Sequence, residues 1–135
     1  MKERMDENSK LQLIQYRIER AEETLKEADV MNREAFYNAA MNRLYYACFY
    51  ATMALLLKHD IYTTTHAGVK TMLGLHFVAK GILSKEDGKT FNRLFEIRHS
   101  SDYDDFVYCD KEMVDTFYPK AEQFISAVKQ LVKVN

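Results

Sequence analysis

The sequence predicts an all-α fold, a compact up-down antiparallel bundle of four long helices plus one shorter helix. Three observations carry that prediction. The 135 residues include four glycines and one proline, too few turn-formers for the many reversals of a β-sandwich or barrel. Apolar residues recur at spacings of three and four along most of the chain, the repeat of one helix face. The segments between these periodic runs are short, as they are between antiparallel neighbours in a bundle. The length suits a single domain with a real core, set here at residues 9–135 after a frayed N-terminus of residues 1–8.

Each element has its own signal. Ser9 is positioned to cap a first helix over residues 10–29. Its stripe is Leu11, Ile14, Ile18, Ala21, Leu25 and Ala28, and the opposite face, with Arg17, Arg20, Glu23, Lys26 and Glu27, reads as solvated. The second helix, over 33–58, is apolar or aromatic nearly all round, from Phe36 through Leu44, Phe49 and Leu55. Such a helix is either central or has a second face in an oligomer interface. Arg43 in this setting needs a partner or a cavity, and it shares a face with Tyr46 and Tyr50 at i+3 and i+7. Thr64 or Thr65 can cap a third helix over 66–80, ended by Gly81. Ser84-Lys85-Glu86-Asp87 resembles a capping box opening a fourth helix over 85–99. That helix delivers Arg98 and His99 at its C-terminus, where a cation suits the dipole. An acidic loop follows over 100–109. Asp110 then caps a fifth helix reaching residue 133, with a kink or break expected around Pro119.

Composition excludes several classes. With 19 basic and 20 acidic residues the net charge is −1, so any nucleic-acid contact requires a local patch. Cys48 and Cys109 form no disulfide framework and show no metal-ligand spacing, which fits a reducing cytoplasm. No apolar run approaches the roughly 20 residues of a membrane span, and the polar start is no signal peptide. His59, His66 and His76 lack HExxH spacing and cysteine partners, which argues against a metal site. No Walker loop, GxGxxG or GxSxG is present.

The chemistry concentrates around Arg98, His99, Asp102 and Tyr103. Arginine binds phosphate in a bidentate manner, histidine moves protons near neutral pH, and tyrosine donates a hydrogen bond. The set suits cleavage of RNA by its own 2′-hydroxyl, which needs a base, an acid and a cation on the phosphate. On pattern alone, an Arg98–Asp102 ion pair closing the helix, with His99 simply exposed, explains the same residues.

Three segments together resemble the HEPN superfamily, specifically its small stand-alone bacterial and archaeal members. Asn42-Arg43-Leu44-Tyr45-Tyr46-Ala47-Cys48-Phe49-Tyr50-Ala51 is similar to that group's N-R-x-Y-Y-A-x-F-x-A signature. Thr65-His66-Ala67-Gly68-Val69 resembles its T-H-x-G-V, and Arg98-His99-Ser100-Ser101-Asp102-Tyr103 its R-x-x-x-D-Y. The order and spacing agree over residues 10–132. The resemblance implies a helical homodimer whose arginine motif lines a cleft at the interface, with no cofactor. It implies either a metal-independent endoribonuclease of toxin–antitoxin type or a non-catalytic module that binds a nucleotide or a minimal nucleotidyltransferase partner. Carried onto this chain, Arg98 would contact RNA or nucleotide phosphate and His99 would act as acid or base. Asp102 and Tyr103 would orient them, and Asn42, Arg43, Tyr46 and His66 would stand behind or bind. The chain departs from the superfamily's active pattern at one point. No histidine follows His99, and Tyr103 and Asp104 occupy the region of the usual distal histidine. A tyrosine, with a pKa of roughly 10, takes up no proton near pH 7.

Overall fold

The computed structural model describes residues 5–103 and 108–133, with the backbone alone at 100–103. It is all-α among the described residues, with helices α1 (Glu7–Arg33), α2 (Tyr37–Lys58), α3 (His66–Leu73), α4 (Lys85–Tyr103) and α5 (Lys111–Val132). A single π-type turn, Gly74–Val78, continues α3. The expected four long helices and one shorter helix are all present.

The caps explain the boundaries. Asp6, rather than Ser9, caps α1: its carboxylate accepts from the Ser9 backbone N–H at 2.8 Å and from the Ser9 hydroxyl at 3.0 Å. The helix therefore starts three residues earlier than the Ser9 reading placed it. Its last residue is Arg33, later than the expected 29, and Ala35 just beyond it takes a φ of 64° that allows Phe36 N–H to reach back to the Met31 carbonyl at 2.8 Å, a Schellman closure without glycine. Thr65 caps α3 by accepting from Gly68 N–H at 2.9 Å. A Cβ on Gly68 would run into the Thr63 and Thr65 hydroxyls, so the glycine is what lets the loop close over the helix start. Gly81 takes φ 73° after the π turn. The Ser84 hydroxyl accepts from Asp87 N–H and donates to the Asp87 carboxylate, both at 3.0 Å, so Ser84 caps the helix, and the aspartate reaches back to its hydroxyl rather than to its backbone N–H as in a full box. Asp110 caps α5 by accepting from Met113 N–H at 2.9 Å.

Two expectations fail. α4 does not stop at residue 99 but runs one further turn, so Arg98 and His99 lie before its last turn rather than at its end. The acidic loop was expected over 100–109, but its first residues are helical, and 104–107 lie outside the described residues. α5 is unbroken across Pro119. Pro119 and Asp115 both face solvent, where water can take the carbonyl that the proline leaves without a donor.

α2 is the central helix. Leu44, Tyr45, Ala47, Cys48, Ala51, Ala54 and Leu55 have no exposed surface. Around them pack Ile14, Ile18 and Ala21 from α1, Phe91 and Leu94 from α4, and Val114, Phe124 and Val128 from α5. Alanine recurs along the inner face of α2, so neighbouring helices approach it closely. Not every apolar position is used: Leu11, Phe36 and Leu75 are exposed, while Thr24 is buried, its hydroxyl donating to the Arg20 carbonyl at 2.6 Å.

Candidate functional site

The outer face of α2 is half-buried rather than open. Asn42, Arg43, Tyr46, Phe49 and Tyr50 line it, where α1, the start of α3 and the last turns of α4 come together. Helical phase determines which of two adjacent tyrosines goes where. Tyr45 points into the core and Tyr46 onto the outer face, about 100° apart around the axis.

α4 contributes His99. Its ring stacks on Phe95, four residues earlier, with centroids 3.9 Å apart and an interplanar angle of 19°. Its Nδ1 lies 2.9 Å from the Phe95 carbonyl oxygen. A carbonyl only accepts, so Nδ1 carries the hydrogen and donates it. In the neutral ring this leaves Nε2 as the acceptor. His99 is therefore half-buried and oriented, which rules out the alternative in which it is simply exposed.

The cap at Thr65 holds His66 against the same wall. The His66 ring stacks on Phe49 at 4.4 Å and 19°, and its Nδ1 lies 2.8 Å from the Tyr45 hydroxyl. Burial pushes the Tyr45 phenol's pKa up, so it keeps its proton. A buried hydroxyl hydrogen needs an acceptor, and His66 is the one the described residues offer Tyr45, so the hydroxyl donates to Nδ1. In the neutral His66 ring the proton then sits on Nε2. The two imidazoles thus carry opposite tautomers, with ring centroids 5.9 Å apart.

Arg98 lies beside His99. Its Nη2 donates to the Tyr46 hydroxyl at 3.1 Å, and its guanidinium carbon is 5.4 Å from the Tyr46 ring centroid. Arg43 approaches the same ring at 5.3 Å. Arg43 is held by Asn42, whose side-chain oxygen accepts at 2.9 Å, and by Glu27 at 3.4 Å. Glu27 also accepts from Arg20 at 3.4 Å, and Arg20 lies 5.3 Å from the Tyr50 ring. The face of α1 read as solvated is thus partly engaged: Glu27 and Arg20 turn toward α2, and Arg17 is half-buried. Guanidiniums set over aromatic faces keep a planar hydrogen-bonding edge for phosphate.

Of the residues singled out from sequence, Arg98, His99, His66, Tyr46, Arg43 and Asn42 share this one face. The side chains of Asp102 and Tyr103 lie outside the described residues. Their backbone places Asp102 one turn beyond Arg98, and Tyr103 one turn beyond His99. Sequence reasoning overlooked Tyr45, Phe49 and Phe95, which fix the two imidazoles, and Arg20. Tyr45 and Phe49 lay inside the quoted Asn42–Ala51 run, and Phe95 is the i−4 neighbour of His99. Among the described residues no group of three or more His, Cys, Asp or Glu side chains is arranged to hold a metal ion, and no helix is long and apolar enough to cross a membrane. Burial pushes the Cys48 thiol's pKa up, so this cysteine serves packing.

Comparison with known proteins fits this geometry. The model of the HEPN domain matches residues 14–131. The chain belongs to the HEPN family. A relative named UPF0332 protein, from Thermotoga maritima, is 37% identical over 126 residues, covering 93% of this chain and 96% of its own. A Methanocaldococcus jannaschii relative with the name "Putative toxin" is 34% identical over 120 residues, 89% of each chain. Another UPF0332 protein, from Archaeoglobus fulgidus, is 28% identical over 122 residues, covering 90% of this chain and 97% of its own. In this HEPN chain the Thr65-His66-Ala67-Gly68-Val69 run has a physical meaning. The threonine caps, the glycine makes room, and the histidine is delivered to Tyr45.

Proposed function

We propose that the chain is a cytoplasmic, homodimeric HEPN endoribonuclease of toxin type, with Arg98 and His99 of each protomer facing a shared cleft. The observation that carries this reading is the pairing of side chains on α4. Arg98 is steadied by Tyr46, and the adjacent His99 is fixed so that Nε2 is its accepting nitrogen. Such a group is suited to take the proton from an RNA 2′-hydroxyl. The 2′-oxygen then bonds to phosphorus and the bond to the 5′-oxygen breaks. The products are a 2′,3′-cyclic phosphate and a 5′-hydroxyl whose proton comes from solvent. Arg98 holds the phosphate charge as it builds, and His66 stands beside His99 in the same wall. The name of the Methanocaldococcus relative supports the toxin assignment. The half-buried outer face of α2 supports a second copy as its cover.

The test is cleavage of single-stranded RNA in EDTA. Wild-type protein yields cyclic-phosphate ends, and Arg98→Ala and His99→Ala each lower the rate by about 10²-fold or more while keeping the helical circular-dichroism spectrum. Folded variants that cut like wild type would falsify the site. Sedimentation showing a clean monomer removes the shared cleft. A second reading, a non-catalytic module holding a nucleotide or a minimal nucleotidyltransferase, is favoured by the lack of any histidine after His99. Co-purification with such a partner, without RNA cleavage, selects it.

A further inference from the structure

A second polar feature lies two turns along α2 from Tyr46. Lys10 and Arg17 are seven residues apart on α1 and share one face. Their surroundings differ. Lys10 Nζ sits 3.0 Å from the Asp60 carboxylate. Arg17 Nη1 donates only to the Met53 backbone carbonyl, at 3.3 Å, and no acidic side chain among the described residues pairs with it. Burial pushes the Arg17 pKa down, as happens when a cation loses water without gaining an anion. Arg17 borders a cavity of about 230 Å³ whose other walls include Leu13, Met53, Leu57, Ile61 and Thr63. That volume holds roughly eight groups of water or methylene size. A mainly apolar hollow with one guanidinium at its edge, held by a single backbone carbonyl and otherwise open to water, is complementary to a molecule with an apolar body and one negative end.

We propose that this cavity binds a small carboxylate bearing an apolar chain, its carboxylate on Arg17 and its chain along Leu13, Met53, Leu57 and Ile61. Nothing in this assignment depends on the ribonuclease reading, because none of these residues belongs to the Arg98 site. A neutral ligand of the same shape fills the hollow but leaves Arg17 unpaired, and a bare anion pairs with Arg17 but leaves the hollow empty. Each should bind more weakly than the amphiphile, by about tenfold or more for loss of the charge-assisted contact.

The experiment is titration calorimetry of the full chain with octanoate below its micellar range, alongside 1-octanol and acetate. The expected result is one octanoate site per chain, with both comparison ligands at least about tenfold weaker. Arg17→Met should bring octanoate down to the octanol level and leave octanol unchanged, and Arg17→Lys should keep most of the octanoate affinity. Absence of octanoate binding, equal binding of octanoate and octanol, or full octanoate affinity in folded Arg17→Met overturns the proposal. If Arg17→Met does not fold, the octanoate–octanol comparison on wild type decides the matter.

Discussion

The two faces of α2 use different residues for different purposes. On the inner face, Leu44, Ala47, Cys48, Ala51 and Leu55 have no exposed surface and no polar task. On the outer face, Arg43, Tyr46, Phe49 and Tyr50 are half-buried, and every ring there touches a guanidinium or an imidazole. On the inner side, close packing of these small and aliphatic side chains excludes water and supplies stability. On the outer side, aromatic packing fixes the direction of hydrogen-bonding groups. Tyr45 belongs to both, with its ring in the core and its hydroxyl on His66.

The sharpest way to break this contrast is at the inner face. Leu55→Ala should cost about 2–5 kcal/mol, the range for a buried leucine that leaves a cavity, read as a fall in the urea midpoint. Any loss of RNA cleavage should then follow the unfolded fraction. Tyr45→Phe tests the residue that joins the faces. It keeps the ring and removes one hydrogen bond, so stability should fall by only about 1 kcal/mol. Cleavage should fall much more steeply, because His66 loses the group that sets its tautomer. Equal, small losses in both measurements would mean that His66 only packs. The smallest effect is expected at Glu27→Gln, which frees Arg20 and Arg43 from a partly exposed acid. Stability should change by less than about 1 kcal/mol. RNA affinity should rise, and its salt dependence should steepen. An unchanged salt slope would place these two arginines outside the RNA path.

Much of this fold is written locally. The scarcity of glycine and proline, the all-round apolar character of α2, and the caps at Thr65, Ser84 and Asp110 all depend on residues within a few positions of one another. Two of the misplaced helix ends show where local reading stops. Asp6 and Ser9 are both good caps, and the chain uses the first as acceptor and the second as donor. The acidic composition after Ser100 looks like a loop, yet the helix runs on to Tyr103. The site was legible as a set of residue types at motif spacing, but its wiring was not. Glu27 meets Arg43 across two helices. Arg98 meets Tyr46 rather than Tyr45 through the phase of α2 against α4. Such pairings depend on how helices dock, which no single stretch records.

The hydrogen bond from His99 Nδ1 to the Phe95 carbonyl has a spectroscopic consequence. In the neutral ring one nitrogen should resonate as a protonated, pyrrole-like atom and the other as a bare, pyridine-like one, without the averaging of a freely exchanging imidazole. The carbonyl that His99 leans on belongs to its own helix, one turn back. The proton's address in this site is therefore set by α4 being wound at this turn, and unwinding that turn would erase the distinction between the two nitrogens.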